Sequence, residues 1–306
     1  MPFVNTKDVN TKDVNTKDVN TKDVNTKDNV GLFYRDGGAG EPVLFCAAWA
    51  LSSIAWQYQM MAVVDSDRRA VSYDRRGHGR SDDPGGGYDY DTLADDLATV
   101  IQRLDLRGVT LVAHSMGSGE AVRYLTRHGD DRIDKLVLLA PATPFALKTP
   151  DNPNGVDSAM FAARRNEWRR DFARWIEENE GPYIGEGLPG CSVSQLLRDW
   201  TKSDMLATTL QAAVQFQRAA VQTDFREELT IISVPTLIIH GDADASAPLP
   251  LTGVPTAALI PNSRLNVYEN APHGLYLTHL GRVNQDLLAF VECRDGANRD
   301  HVCDTV

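Results

Sequence analysis

The chain has 306 residues, 42% of them hydrophobic, with a formal charge of −11 at pH 7 and a pI near 5.1. That length suits one large domain, or one domain carrying an insertion. The acidic balance and the lack of a basic block exclude nucleic acid and anionic membrane surfaces as expected partners.

Val-Asn-Thr-Lys-Asp occurs five times without a break over residues 4–28. A period of five matches neither a strand nor a helix, and the central threonine is a poor core residue for a pentapeptide solenoid. With four copies removed, the sequence around it reads as strand, polar turn, strand. Residues 1–29 are therefore expected to be an expanded hairpin turn or a flexible leading arm. The start, Met1-Pro2-Phe3-Val4-Asn5, lacks the apolar stretch of a signal peptide. No apolar run reaches membrane-spanning length, and a cytoplasmic protein is expected. Cys46, Cys191, Cys293 and Cys303 are scattered without CxxC spacing. Reduced thiols are expected, with neither a disulfide framework nor a metal site.

From residue 30 onward, strand and helix signals alternate. Strands are expected over 30–35, 43–47, 70–73, 109–113, 135–140, 235–240 and 264–268. Ser52 or Ser53 can cap a helix running to residue 64. Asp91 or Thr92 can cap another, whose Leu93, Leu97, Val100, Ile101 and Leu104 fall on one face. Residues 116–128 make a third, and 283–291 the last. This alternation implies a mostly parallel sheet covered on both faces. Residues 141–229 break it with helical patterns over 156–179, 193–201 and 205–222. They are expected to form a helical cap over the carboxyl ends of the strands, where ligands bind in such sheets. Trp168, Trp175 and Trp200 fall in this region, either as pocket wall or as glue between cap and core. The core is then 30–140 plus 230–293, and 294–306 is a polar tail.

One stretch organises the rest. Leu111-Val112-Ala113-His114-Ser115-Met116-Gly117 has an apolar lead-in, a tight turn and a helix after it. That is the context of a nucleophile elbow, with Ser115 at its apex and small residues, Ala113 and Gly117, on either side. The rival reading is an ordinary strand-to-helix turn. A serine alcohol needs a base, and the base needs an orienting carboxylate. In this architecture they follow in the order serine, acid, histidine, each after a strand. Asp242 and Asp244 follow the strand ending at His240, and His273 follows the strand ending at Tyr268. His273 is the expected base. His114, His240, His78, His128, His279 and His301 lack that context. The oxyanion needs two backbone N–H donors. Met116 supplies one at the helix start, and Trp49 the other from the turn after residues 43–47. Trp49, Phe145 and Leu147 are the expected apolar pocket wall.

Taken together, these words resemble the α/β-hydrolase fold, in the group of cofactor-free haloperoxidases and related esterases. The matching segments run from Tyr73-Asp74-Arg75-Arg76-Gly77-His78-Gly79-Arg80-Ser81 through Asp95-Asp96-Leu97 and Ala113-His114-Ser115-Met116-Gly117. His240-Gly241-Asp242-Ala243-Asp244 and Ala271-Pro272-His273-Gly274-Leu275 complete them. The resemblance implies a Ser115–Asp244–His273 triad, Asp244 being the acid because it sits four residues after the strand-ending histidine. It implies no cofactor. In the family a turn reading His-Gly-Trp-Pro-Leu is common; here it is Ala47-Ala48-Trp49-Ala50-Leu51. The missing proline argues against the family's peracid-forming side activity.

The resulting expectation is a serine hydrolase acting on small apolar carboxylic esters or lactones through an acyl-enzyme, with a homo-oligomer left open. A slow-turnover ligand-sensing protein, or a cofactor-free haloperoxidase, is the alternative. Haloalkane dehalogenation needs a carboxylate at the elbow, and Ser115 argues against it.

Overall fold

The computed structural model describes residues 22–293. The first three repeat units, Cys303, His301 and the expected tail over 294–306 lie outside the described residues. Its strands are β1 (Lys22–Asn25), β2 (Gly31–Gly37), β3 (Pro42–Cys46), β4 (Arg69–Tyr73), β5 (Val109–His114), β6 (Ile133–Leu139), β7 (Thr236–Gly241) and β8 (Ser263–Tyr268). The helices are α1 (Gln57–Asp65), α2 (Tyr90–Arg103), α3 (Gly117–His128), α4 (Ser158–Ile184), α5 (Gln195–Leu206), α6 (Leu210–Gln222), α7 (Arg226–Leu229), α8 (Gly253–Leu259), α9 (Leu275–Thr278) and α10 (Leu280–Glu292).

The strands form one sheet in the order β1-β2-β4-β3-β5-β6-β7-β8. β1 and β2 pair antiparallel, and β2 runs antiparallel to β4. β3 to β8 are parallel. β3, β5 and β7 are buried at every position, which is why their sequences run almost continuously apolar. Successive side chains of β5 serve opposite faces. Leu111 and Ala113 pack with Leu93 and Leu97 of α2 and Val122 of α3. Val112 packs with Val63 of α1 and Leu287 of α10. β3 lies between β4 and β5, so the chain reverses its direction of travel across the sheet there. The crevice at the carboxyl ends of β3 and β5 is where such a sheet binds ligands.

The fifth repeat unit is built into the sheet. Val24 is buried, and Thr26 Oγ1 accepts the Val30 N–H at 3.0 Å across the hairpin turn. Asp28 pairs with Arg76 at 3.0 Å. α2 is capped by Asp89, whose side chain accepts the Thr92 N–H, rather than by Asp91 or Thr92. Asp91 falls in the first turn instead, where a carboxylate suits the positive helix end. The apolar pattern over 205–222 is split: α5 ends at Leu206, and α6 starts after Thr209, whose side chain caps it by accepting the Ala212 N–H. α4 runs further than its apolar pattern, with helical backbone interrupted at Asp171.

Candidate active site

Ser115 stands between β5 and α3 with φ +55, the left-handed region that a non-glycine residue takes only when its surroundings hold it there. Its N–H donates to the Leu139 carbonyl at 3.0 Å. Its carbonyl accepts the Ser118 N–H at 3.0 Å and the Ala142 N–H at 3.1 Å. Gly117 makes the turn possible: a Cβ there would sit 2.6 Å from the Ala47 carbonyl oxygen. The helix start and the turn after β3 therefore touch.

Three of the expected residues meet in one hydrogen-bonded chain. Ser115 Oγ and His273 Nε2 are 2.8 Å apart, and His273 Nδ1 and Asp244 Oδ2 are 2.6 Å apart. All three side chains belong to buried residues. Burial acts to raise the Asp244 carboxyl, but the His273 charge, hydrogen bonds from both histidines and the Ala247 N–H outweigh it. The carboxyl is held well below the ordinary range. Its Oδ1 accepts the Ser246 and Ala247 N–H groups, both at 2.8 Å. Asp242 has a different place: its Oδ1 accepts the Asn270 N–H at 2.7 Å.

The remaining histidines sort by their bonds. His114 Nε2 donates to the His273 carbonyl at 3.1 Å. Burial, reinforced by His273, pulls its pKa well down, so it is a neutral prop behind the base. His240 Nε2 reaches both Asp244 Oδ2 at 3.1 Å and the Ala247 carbonyl at 2.8 Å. His78, fully buried, bonds to the Arg76 carbonyl at 3.0 Å, and burial lowers its pKa to about 3. His128 bonds Asp95 and His279 bonds Thr278.

Trp49 and Met116 both border the cavity next to Ser115. Among the described residues no acceptor takes either backbone N–H, the condition expected of donors kept for a ligand. The cavity is about 380 Å³. Its wall includes Trp49, Met116, Phe145, Trp168, Trp175 and Met205. Trp49 stacks on Trp168 with ring centroids 4.4 Å apart, and its Nε1 donates to the Ala213 carbonyl at 2.8 Å. Trp168 and Trp175 thus line the cavity and fasten the cap to the turn in one arrangement. Trp200 packs on Tyr58 instead. Leu147, expected in the wall, is not among the cavity residues. Its backbone is taken up by a bridge to Val156 and by Asn152 Nδ2, which donates to its carbonyl at 2.8 Å. Among the described residues no group of three or more His, Cys, Asp or Glu side chains is arranged to hold a metal ion, and no helix is long and apolar enough to cross a membrane.

The family model described as the alpha/beta hydrolase fold matches residues 41–280. The chain belongs to the α/β-hydrolase family. Within this α/β-hydrolase family it is 41% identical over 266 residues to a non-heme chloroperoxidase of Kitasatospora aureofaciens, covering 86% of this chain and 97% of that one. It is 37% identical over 268 residues to a bifunctional esterase/perhydrolase of Acinetobacter calcoaceticus, covering 86% and 97%. Its fold matches the crystal structure of a bromoperoxidase from Bacillus anthracis with a TM-score of 0.84 and 35% identity, covering 90% of this chain and 99% of that one. The likeness to non-heme haloperoxidases and esterases read from the sequence motifs therefore extends over most of the chain.

Two residues of the site carry no sequence signal of the triad kind. Arg75 Nη2 donates to the Ala47 carbonyl at 2.8 Å, and its Nε donates to Glu120 of α3 at 2.8 Å. Both side chains are buried. A second arginine beside Arg76 in the Asp74-Arg75-Arg76 turn was the available hint. It gave no partner, because Glu120 lies 45 positions further along the chain.

Proposed function

We propose that the chain is a serine hydrolase that cleaves carboxylic esters or lactones through an acyl-enzyme. The observation that carries this reading is the unbroken chain from Ser115 Oγ through His273 to Asp244 at the edge of an apolar-walled cavity. Ser115 Oγ attacks the acyl carbon while its proton passes to His273 Nε2. Asp244 holds the Nδ1–H tautomer and stabilises the imidazolium. The carbonyl oxygen, now charged, takes hydrogen bonds from the Trp49 and Met116 N–H groups. His273 returns the proton to the departing alkoxide, and the acyl-enzyme forms. Water attacks next, losing a proton to His273, and the acid leaves as Ser115 is reprotonated. For a lactone, the freed alcohol and the acyl group stay in one molecule throughout, and the product is a single hydroxy acid.

Residues 141–229 act as the cap that shelters the reaction, with Trp168 and Trp175 as its inner surface. We place the protein in the cytoplasm; Cys46, Cys191 and Cys293 are free thiols, as a reducing compartment favours. A second reading has its own support. Relatives are named chloroperoxidase and esterase/perhydrolase, so peroxide can replace water as the second nucleophile at the same serine. The deciding experiment is a panel of p-nitrophenyl esters and lactones assayed with and without peroxide, with Ser115→Ala as blank. Ser115-dependent acid release supports the first reading. Turnover no faster than the blank on every member would overturn it in favour of a ligand sensor.

A further inference from the structure

Gln217 is a polar residue of the cavity wall that the reaction leaves unused. It lies on α6, one turn beyond Ala213, whose carbonyl holds the Trp49 indole. The residue is 2% exposed and borders the cavity that holds Ser115. Its orientation is fixed by Arg165 of α4, which places Nη1 2.7 Å from Gln217 Oε1. A guanidinium only donates, so the atom facing it is the amide oxygen. The Nε2 group, with two hydrogens, is left for the other side. Among the described residues no acceptor takes it, and it is not sealed off from accessible space. The donor of this buried side chain meets no protein acceptor among the described residues and is open to whatever fills the cavity.

The surroundings agree in sign. Trp168, one turn along α4 from Arg165, also borders the cavity. Arg165 has no carboxylate within ion-pair distance among the described residues. The charges that act on it are those of Arg169 and Arg218. This pole of the cavity thus offers a donor with positive charge behind it; most of the rest of the wall is apolar, apart from Asn and Thr side chains and the paired Glu180, Arg198 and Lys202.

We infer that Gln217 forms an oxygen-recognising subsite: the substrate is an ester or lactone carrying a second acceptor oxygen, a ketone, ether or carboxylate, set apart from the reacting carbonyl by an apolar spacer. Arg165 behind the amide withdraws charge from it and makes Nε2 a stronger donor. A plain aliphatic chain leaves the donor unmet and is discriminated against, as buried polar groups reject analogues lacking the matching atom. This rests on the ester-hydrolase reading.

The test compares ethyl heptanoate with its analogues bearing a keto oxygen at successive positions of the acyl chain, and with the monoethyl ester of a dicarboxylic acid of similar length. Each kcat/KM is measured for the wild type, Gln217→Leu and Gln217→Glu. The leucine variant removes the donor and the partner of Arg165 together. The glutamate variant keeps an acceptor for Arg165 and removes only the cavity-facing donor. The ratio of the best oxygen-bearing ester to ethyl heptanoate is expected to fall about fivefold in both variants, the scale of one neutral hydrogen bond. A fall confined to the keto esters assigns a neutral oxygen, and one confined to the half-ester assigns a carboxylate. Ratios within twofold of wild type for every analogue, while Ser115-dependent hydrolysis continues, would overturn the subsite and leave the hydrolase intact. Absence of Ser115-dependent hydrolysis in the wild type removes both.

Discussion

Arg75 and Glu120 form a fully buried ion pair, Nε to Oε2 at 2.8 Å, that ties α3 to the turn carrying Trp49. Burial pulls Arg75 down to about 10 and pushes the Glu120 carboxyl well up, so each charge depends on the other. Arg75 also donates to the Ala47 carbonyl, and its guanidinium lies over the Phe216 ring at 4.4 Å. The pair therefore sets the distance between the two proposed oxyanion donors. Arg75→Met is expected to cost about 3 kcal/mol or more, since it strands a buried carboxylate. Arg75→Met with Glu120→Leu is expected to recover much of the melting temperature but not kcat, because the Ala47 carbonyl still lacks its donor. Full recovery of both would reduce the pair to a packing element.

The serine chain makes the sharpest demand. Ser115→Ala and His273→Ala are each expected to lower ester turnover by on the order of 10³-fold or more, with circular dichroism unaltered. Asp244→Asn should lose far more activity than Asp242→Asn. Asp244 bonds the base directly, whereas the Asp242 side chain accepts the Asn270 N–H. Equal losses at the two aspartates would reverse the assignment of the acid.

What could be read in the sequence follows from how local the cause is. The central strands β3, β5 and β7 announced themselves because burial on both faces demands apolar runs. The elbow did so because a tight turn at the carboxyl end of a central strand needs Gly117. Helix limits in the cap were less legible: the split between α5 and α6 comes from Thr209, whose N–H also donates to Gly77 far away in sequence. The Leu147 wall position failed for a similar reason, since Asn152 and Val156 claim that backbone. Partners such as Glu120 for Arg75 depend on the tertiary fold, and no spacing encodes them.

Asp204 gives a pH dependence with a defined sign. It reaches from α5 to the Ser52 N–H at 3.0 Å and to the Ser52 hydroxyl, and burial pushes it up to about 6. Its folded value exceeds the unfolded one, so the fold favours the protonated form. The group costs nothing below about pH 4, where both states are protonated, and its penalty grows as pH rises to about 6. Asp204→Asn keeps an acceptor for Ser52 and removes the charge. Thermal melts should show it more stable than wild type at pH 7.5, by on the order of 2 kcal/mol, with the gap closing at pH 4. A gap independent of pH would mean that the charge is not the cause.

The repeat should divide into one needed unit and four dispensable ones. Removing residues 4–23 leaves Val24, Thr26 and Asp28, which make the buried contact, the turn bond and the Arg76 pair. It also brings Phe3 next to Val24. The deletion takes Lys22 and Asp23 from β1 and leaves Pro2 and Phe3 in their sequence positions before Val24, so stability should change by about 1 kcal/mol or less. Replacing Val24 by Asp in the full chain should cost more, because a charge would enter a buried position. Melting temperatures of the two variants decide between this division and a repeat that packs as a whole.

The last prediction concerns water against peroxide at the acyl-enzyme. Relatives are named for halogenation, which in this family implies a peracid made at the same serine. The turn beside the proposed oxyanion donors is expected to help decide which nucleophile is favoured, since it fixes where a backbone carbonyl points. In the family this turn commonly carries proline at the position of Ala50. Here Ala50 has φ +59, and the Leu51 N–H closes the turn on the Ala48 carbonyl at 3.3 Å. A pyrrolidine ring holds φ near −65°, so this turn is not a proline turn with the ring removed; it follows a different backbone path. Ester hydrolysis should therefore exceed peroxide-dependent halogenation by a wide margin, even in acetate buffer with added peroxide. Ala50→Pro must redirect the turn, and it is expected to change the ratio of the two rates rather than scale both together. Acid release and monochlorodimedone halogenation, measured on one batch of each protein, provide the comparison. Halogenation matching ester cleavage in the wild type would show that the backbone path at Ala50 does not govern the choice.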